Sequence, residues 1–99
     1  MFSYDIVEQV EQTNVPLASF SAPWALSVPV FHDVAAAYFA ARRPGVERAL
    51  LLYATLEDDD GPDRRALVCS AHFIADDGKG RMELRSGPLL EAALRARRH

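Results

Sequence analysis

The residues best equipped for chemistry are Cys69 and His72, a thiol and an imidazole three positions apart. Held within hydrogen-bond reach, such a pair makes a thiolate nucleophile and its base. The surrounding run, Arg65 to Ala75, predicts a strand, and strand side chains three apart leave from opposite faces. The spacing therefore predicts a buried, inert cysteine and a half-exposed histidine. His32-Asp33 is a second acid–base pair, near the start of a predicted helix. Adjacent helical side chains diverge there, and the helix dipole alone accounts for Asp33.

The acidic run Glu57-Asp58-Asp59-Asp60-Gly61 invites a calcium loop. That pattern needs an oxygen ligand five positions before its glycine, where this chain has Leu56. Asp76-Asp77 lies at the other end of the predicted hairpins, so the two acidic clusters cannot share one ion. Gly78-Lys79-Gly80 lacks the longer glycine frame and the Lys-Ser/Thr ending of a phosphate loop. No catalytic residue, metal site or cofactor is predicted. Arg95, Arg97 and Arg98, followed by His99, form a basic tail that could touch phosphates, with Arg42 and Arg43 as further candidates. The same arginines suit the negative end of a helix dipole, and the formal net charge of -3 opposes nucleic acid as a partner.

The elements that must position these groups follow from periodicity. The 99 residues are 49% hydrophobic and 25% charged, which predicts one globular domain. One cysteine excludes an internal disulfide and a cysteine zinc site, and a reducing, cytoplasmic setting is expected. The start, Met1-Phe2-Ser3-Tyr4-Asp5, lacks a secretory pattern, and the longest apolar run, Ala49 to Ala54, is too short to cross a bilayer. The abundance of alanine and arginine points to a GC-rich bacterial or phage genome.

Phe2, Ile6 and Val10 recur at helical spacing over residues 3–13, while Phe2, Tyr4 and Ile6 alternate as in a strand. A helix is the preferred expectation, an edge strand the alternative. Residues 14–27, with Pro16 and Pro23, read as irregular, packed against the core through Leu17, Phe20 and Trp24. Residues 28–43 predict a mostly buried helix, with Ser27 as its cap, Val30, Val34, Tyr38 and Ala41 on one face, and Phe31, Ala35 and Phe39 alongside. Strands are expected at about 46–56, 65–75 and 81–85, and a last helix from Pro88 to about Arg97. The predicted class is α+β: a three-stranded antiparallel meander packed against a central and a C-terminal helix. The order helix–strand–strand–strand–helix resembles that of the double-stranded-RNA-binding domain. That family expects lysines where this chain has Pro88-Leu89-Leu90-Glu91, so the likeness is one of topology only.

Alternation predicts a register with Leu52 opposite Cys69, Leu50 opposite Ala71, Ala54 opposite Leu67, Phe73 opposite Met82 and His72 opposite Glu83. One sheet face then carries the core. The other carries Leu51, Tyr53, Val68, Ser70, His72 and Ile74, with Arg81, Glu83 and Arg85. That face is too apolar for plain water, so either a helix or a partner covers it. The expected function is non-catalytic binding of another protein, as an inhibitor or adaptor, or of a second copy of the chain. The site would be Leu51, Tyr53, Val68, Ser70, His72, Arg81, Glu83 and Arg85. Nucleic-acid contact through Arg95, Arg97 and Arg98 is the first alternative. A small-molecule pocket or enzyme of unknown chemistry, beside Trp24, His32 and Tyr38, is the second.

Overall fold

The computed structural model describes residues 2–41, 47–56, 61, 64–76 and 79–96. The chain runs β1 (Phe2–Val10), β2 (Thr13–Ala22), α1 (Trp24–Ala40), β3 (Arg48–Leu56), β4 (Arg64–Asp76), β5 (Lys79–Ser86) and α2 (Pro88–Ala96). The fold is α+β, and all five strands form one antiparallel sheet in the order β2-β1-β3-β4-β5. The expected meander is its β3-β4-β5 half. The β1–β2 hairpin precedes this and adds two further strands, so the expected order helix–strand–strand–strand–helix is kept only as the α1-β3-β4-β5-α2 part of a larger sheet.

The preferred helix at residues 3–13 is thus a strand. Tyr4 and Ile6 are buried on the face that the helices cover, and Val7 is buried on the opposite one. Periodicity misled because Phe2, Ile6 and Val10 satisfy both periods, and β1, lying between two strands, buries both of its faces. Residues 13–22 also pair, where irregular chain was expected. The hairpin turn, Glu11-Gln12, offers no glycine or asparagine signal, and Glu11 takes a φ of 57°. Pro16 is tolerated because β2 is an edge strand.

Helix α1 begins at Trp24, with Pro23 in the capping position. Ser27 does not cap it. Its hydroxyl lies wholly buried within the first turns and donates to the Trp24 carbonyl at 2.8 Å. Pro29 sits inside the helix and withholds one backbone donor. The buried stripe is Ser27, Phe31, Ala35 and Phe39, one turn apart, while Val30 and Val34 are exposed. Of the broad stripe expected, Phe31, Ala35 and Phe39 are buried and Tyr38 packs against them, whereas its Val30–Val34 edge faces outward.

The core packs α1 against Tyr4, Ile6, Leu50, Leu52, Ala54, Val68, Cys69 and Ala71. Each fully buried large side chain contributes about 1.5–3 kcal/mol. Rings tie both ends of α1 to the sheet. Trp24 lies 6.0 Å from Phe2 and 6.3 Å from Tyr4, and Phe39 lies 5.5 Å from Phe73. Helix α2 sits beside α1 on the same face, mainly against β4, with Leu89 and Leu90 on the core.

The register holds for Leu50–Ala71, Leu52–Cys69, Phe73–Met82 and His72–Glu83. It fails at Ala54, which meets Ala66, because β4 bulges between its pairings with Leu52 and Tyr53. The bulge inserts Val68 as an extra residue and turns Leu67 toward Tyr53. Val68 is therefore 0% exposed on the helix-covered face, not on the outer one. Gly87 closes over this bulge, donating its N–H to the Val68 carbonyl at 2.8 Å.

Candidate functional site

Both helices pack on one side of the sheet, which leaves the other side free of helix among the described residues. Its centre is a small apolar cluster: Val7, Ala49 and Leu51, with Tyr53 and Leu67 packed on them. Three adjacent strands supply it, and the sheet brings them together through the pairings Val7–Leu51, Leu51–Ser70 and Tyr53–Leu67. Leu51 is itself only 9% exposed, because its lateral neighbours shelter it. The accessible parts of the cluster are Leu67 and Tyr53, whose ring lies 4.7 Å beneath the guanidinium of Arg65. Neither Arg65 nor Leu67 was among the expected site residues. Arg65 stands two positions before Leu67, so the bulge that reassigns Leu67 brings both to the outer face.

The polar side of the face lies toward β5. Ser70 Oγ and His72 Nε2 are 2.8 Å apart, as residues two positions apart on a strand can be. Burial, then the cation of Arg85, hold the His72 imidazole below its ordinary range, and the carboxylate of Glu83 opposes them. Arg85 Nε donates to Glu83 Oε1 at 3.0 Å, and this hydrogen bond lowers the Glu83 carboxyl below its usual value. Arg81 is exposed on the same strand, two residues before Glu83. A neutral histidine beside a serine hydroxyl has the outline of a base and nucleophile. Glu83, the nearest candidate to orient the ring, gives its carboxylate to Arg85. Next to this pair an open groove of about 650 Å³ runs along the end of β3 and β4, lined in part by Gln9, Arg48, His72 and Arg85.

Cys69 and His72 are separated as the spacing predicts. Cys69 is buried on the helix side, paired with Leu52, and burial pushes its thiol up to about 11. Such a thiol is protonated and unreactive at neutral pH. His32 and Asp33 do approach, Nδ1 to Oδ1 at 3.5 Å, but both side chains are exposed and screened by solvent. Trp24 lines a groove of about 290 Å³ between α1 and α2, together with Ala25, Val28, Leu90, Ala93 and Leu94. His32 and Tyr38 do not line it.

Arg95 is exposed and lies 3.9 Å from Glu91 one turn earlier. Arg97, Arg98 and His99 lie outside the described residues, as do Arg42 and Arg43 and the acidic stretches 57–60 and 77–78. Among the described residues no group of three histidine, cysteine or carboxylate side chains could hold a metal ion, and no helix is long and apolar enough to cross a membrane. The chain matches no known family model, and neither the curated proteins nor the solved structures compared with it contain a similar one.

Proposed function

We propose that the protein is a non-catalytic interaction module that binds another protein through the helix-free face of its sheet. The observation that supports this reading is the Tyr53–Arg65 stack above Leu51, Val7 and Leu67, on a face that no helix covers. Apolar patches rimmed by polar groups mark interfaces, and tyrosine and arginine are the residues that most often anchor them. Ser70, His72, Arg81, Glu83 and Arg85 form the polar rim on the β5 side, where they would set register and orientation more than affinity. Val68 leaves the expected site because the bulge buries it.

The test is capture of partners from the native host lysate by the immobilised protein, with and without nuclease, repeated with Tyr53→Ser and Arg65→Glu. A single protein prey, insensitive to nuclease and weakened at least about tenfold by either substitution, is the expected result. Leu51 is too well sheltered for a clean surface test. A prey that both variants retain removes this face from consideration. Prey lost on nuclease treatment would move the reading to nucleic acid and to the C-terminal arginines.

A further inference from the structure

The two long edges of the sheet differ in one respect that the helix-free face does not explain. Strand β2 carries no acidic or basic side chain, and this charge-free stretch runs unbroken from Gln12 to Phe31, across β2 and the first half of α1. Its apolar side chains are bare: Val15 is 44% exposed and Leu17 41%. On α1, Leu26, Val30 and Val34 are also exposed and stand four residues apart in one row. At about 100° per residue this row lies on the flank of α1 opposite Ala25 and Val28, which face α2. Because α2 sits over β4 and β5 and α1 packs against β1 and β4, the bare flank of α1 is the one turned away from α2, toward the β1–β2 side of the sheet.

From this juxtaposition we infer that a second copy of the chain docks here, β2 against β2 about a two-fold axis, joining the two sheets edge to edge. An edge strand turns every second residue's N–H and C=O outward, and Pro16 withholds at most one donor of that row. Antiparallel pairing of the edges sets the two α1 helices on the same side of the continuous sheet, with the Leu26 ends of their bare rows nearest the seam. A foreign extended strand would cover the edge and leave that row in water. The charge pattern of the edge agrees, since an isologous contact sets each surface against itself and residues 12–31 bring no like charges together; the first charged side chain, the exposed Asp33, comes only at the far end of the α1 row. The β5 edge, with Arg81 and Arg85 exposed around Glu83, would meet its own copy with repulsion.

This seam is distinct from the helix-free face, and the dimer would present two copies of that face on one side of a ten-stranded sheet. Sedimentation velocity over a dilution series tests it. The wild-type chain should sediment at twice its 11.0 kDa mass and dissociate on dilution. Leu17→Lys and, separately, Val30→Lys should each weaken association at least about a hundredfold, since each puts two like charges into the seam. Leu84→Lys, at an equally exposed apolar position on β5, should leave association unchanged, and thermal unfolding should place all three variants near wild type. A wild-type chain that stays monomeric throughout overturns the inference. So does a dimer that survives both Leu17→Lys and Val30→Lys. A dimer lost with Tyr53→Ser instead would make the helix-free face the self-contact and end both readings together.

Discussion

On either side of β3 the sheet is finished in two different ways. The β1–β2 half has a bare edge: its outer strand is exposed along almost its whole length, while rings of Trp24, Phe2, Tyr4 and Phe20 tie its upper end to α1. The β4–β5 half is closed. Helix α2 follows β5 directly, folds back over β4, and is tied down by the Gly87 N–H on the Val68 carbonyl. Its edge carries charge where the β2 edge carries none. A fold that blocks one edge with charge and leaves the other neutral has been given a direction in which to add strands.

The largest effect should come from breaking the closed half. A Cβ on Gly87 would meet the Leu67 carbonyl at 2.6 Å, the Val68 carbonyl at 2.9 Å and Leu67 Cγ at 3.0 Å. Two of these atoms are backbone and belong to the bulge, so they cannot swing aside as the end of a side chain would. Gly87→Ala should cost about 2–3 kcal/mol in urea or thermal unfolding, the upper range for overpacking. A cost below about 0.5 kcal/mol, typical of an open surface site, would mean that α2 is not anchored through this contact. Substitutions on the exposed face of β2, by contrast, should change association and leave unfolding almost untouched.

The bare half offers a change in the opposite direction. Tyr4 is buried at 1% exposure on β1, stacked 5.3 Å from Phe20, and its hydroxyl has no hydrogen-bond partner among the described residues. An unsatisfied buried hydroxyl costs about 1–3 kcal/mol of desolvation, whereas phenylalanine fills the same space without that penalty. Tyr4→Phe should therefore stabilise the fold by about 1 kcal/mol, read as a higher denaturation midpoint at unchanged slope. Destabilisation would show that the hydroxyl is engaged, and would remove one reason for regarding this half as the less settled.

The same asymmetry governed what could be read in advance. The closed half was legible because its strands alternate cleanly and its turns and final helix are marked by Asp, Gly and Pro: His72–Glu83, Phe73–Met82 and the start of α2 at Pro88 all stand where expected. The bulge at Val68 was not legible, since an inserted residue leaves no mark when Leu67 and Val68 are both apolar, and it exchanged the faces of two expected positions. The bare half was misread because β1 buries both faces and so fits either period, and because Glu11-Gln12 is an unmarked turn. The one signal that would have drawn attention to β2 is the absence of charge from Gln12 to Phe31, which periodicity does not register.

The smallest effect concerns the open face of the closed half, where His72 stands between Ser70 and the Glu83–Arg85 pair. Burial and the nearby Arg85 cation hold its folded value below 6.5, with Glu83 pulling weakly the other way. The unfolded chain therefore binds this proton first as pH falls. The unfolding free energy contributed by His72 is level above about pH 6.5, declines as the pH drops from there toward the folded value, and levels off once both states are protonated. Glu83 works in a separate window: its lowered carboxyl gives stability that is lost only below its ordinary 4.5. Urea midpoints measured stepwise from pH 7.5 to pH 5 should thus show a shallow decline, and His72→Gln should flatten it while keeping a partner for the Ser70 hydroxyl. If the wild-type midpoints rise on acidification, His72 is better placed protonated than neutral. Glu83 would then be pairing with the ring rather than with Arg85, and the rim of the helix-free face would carry a cation at position 72.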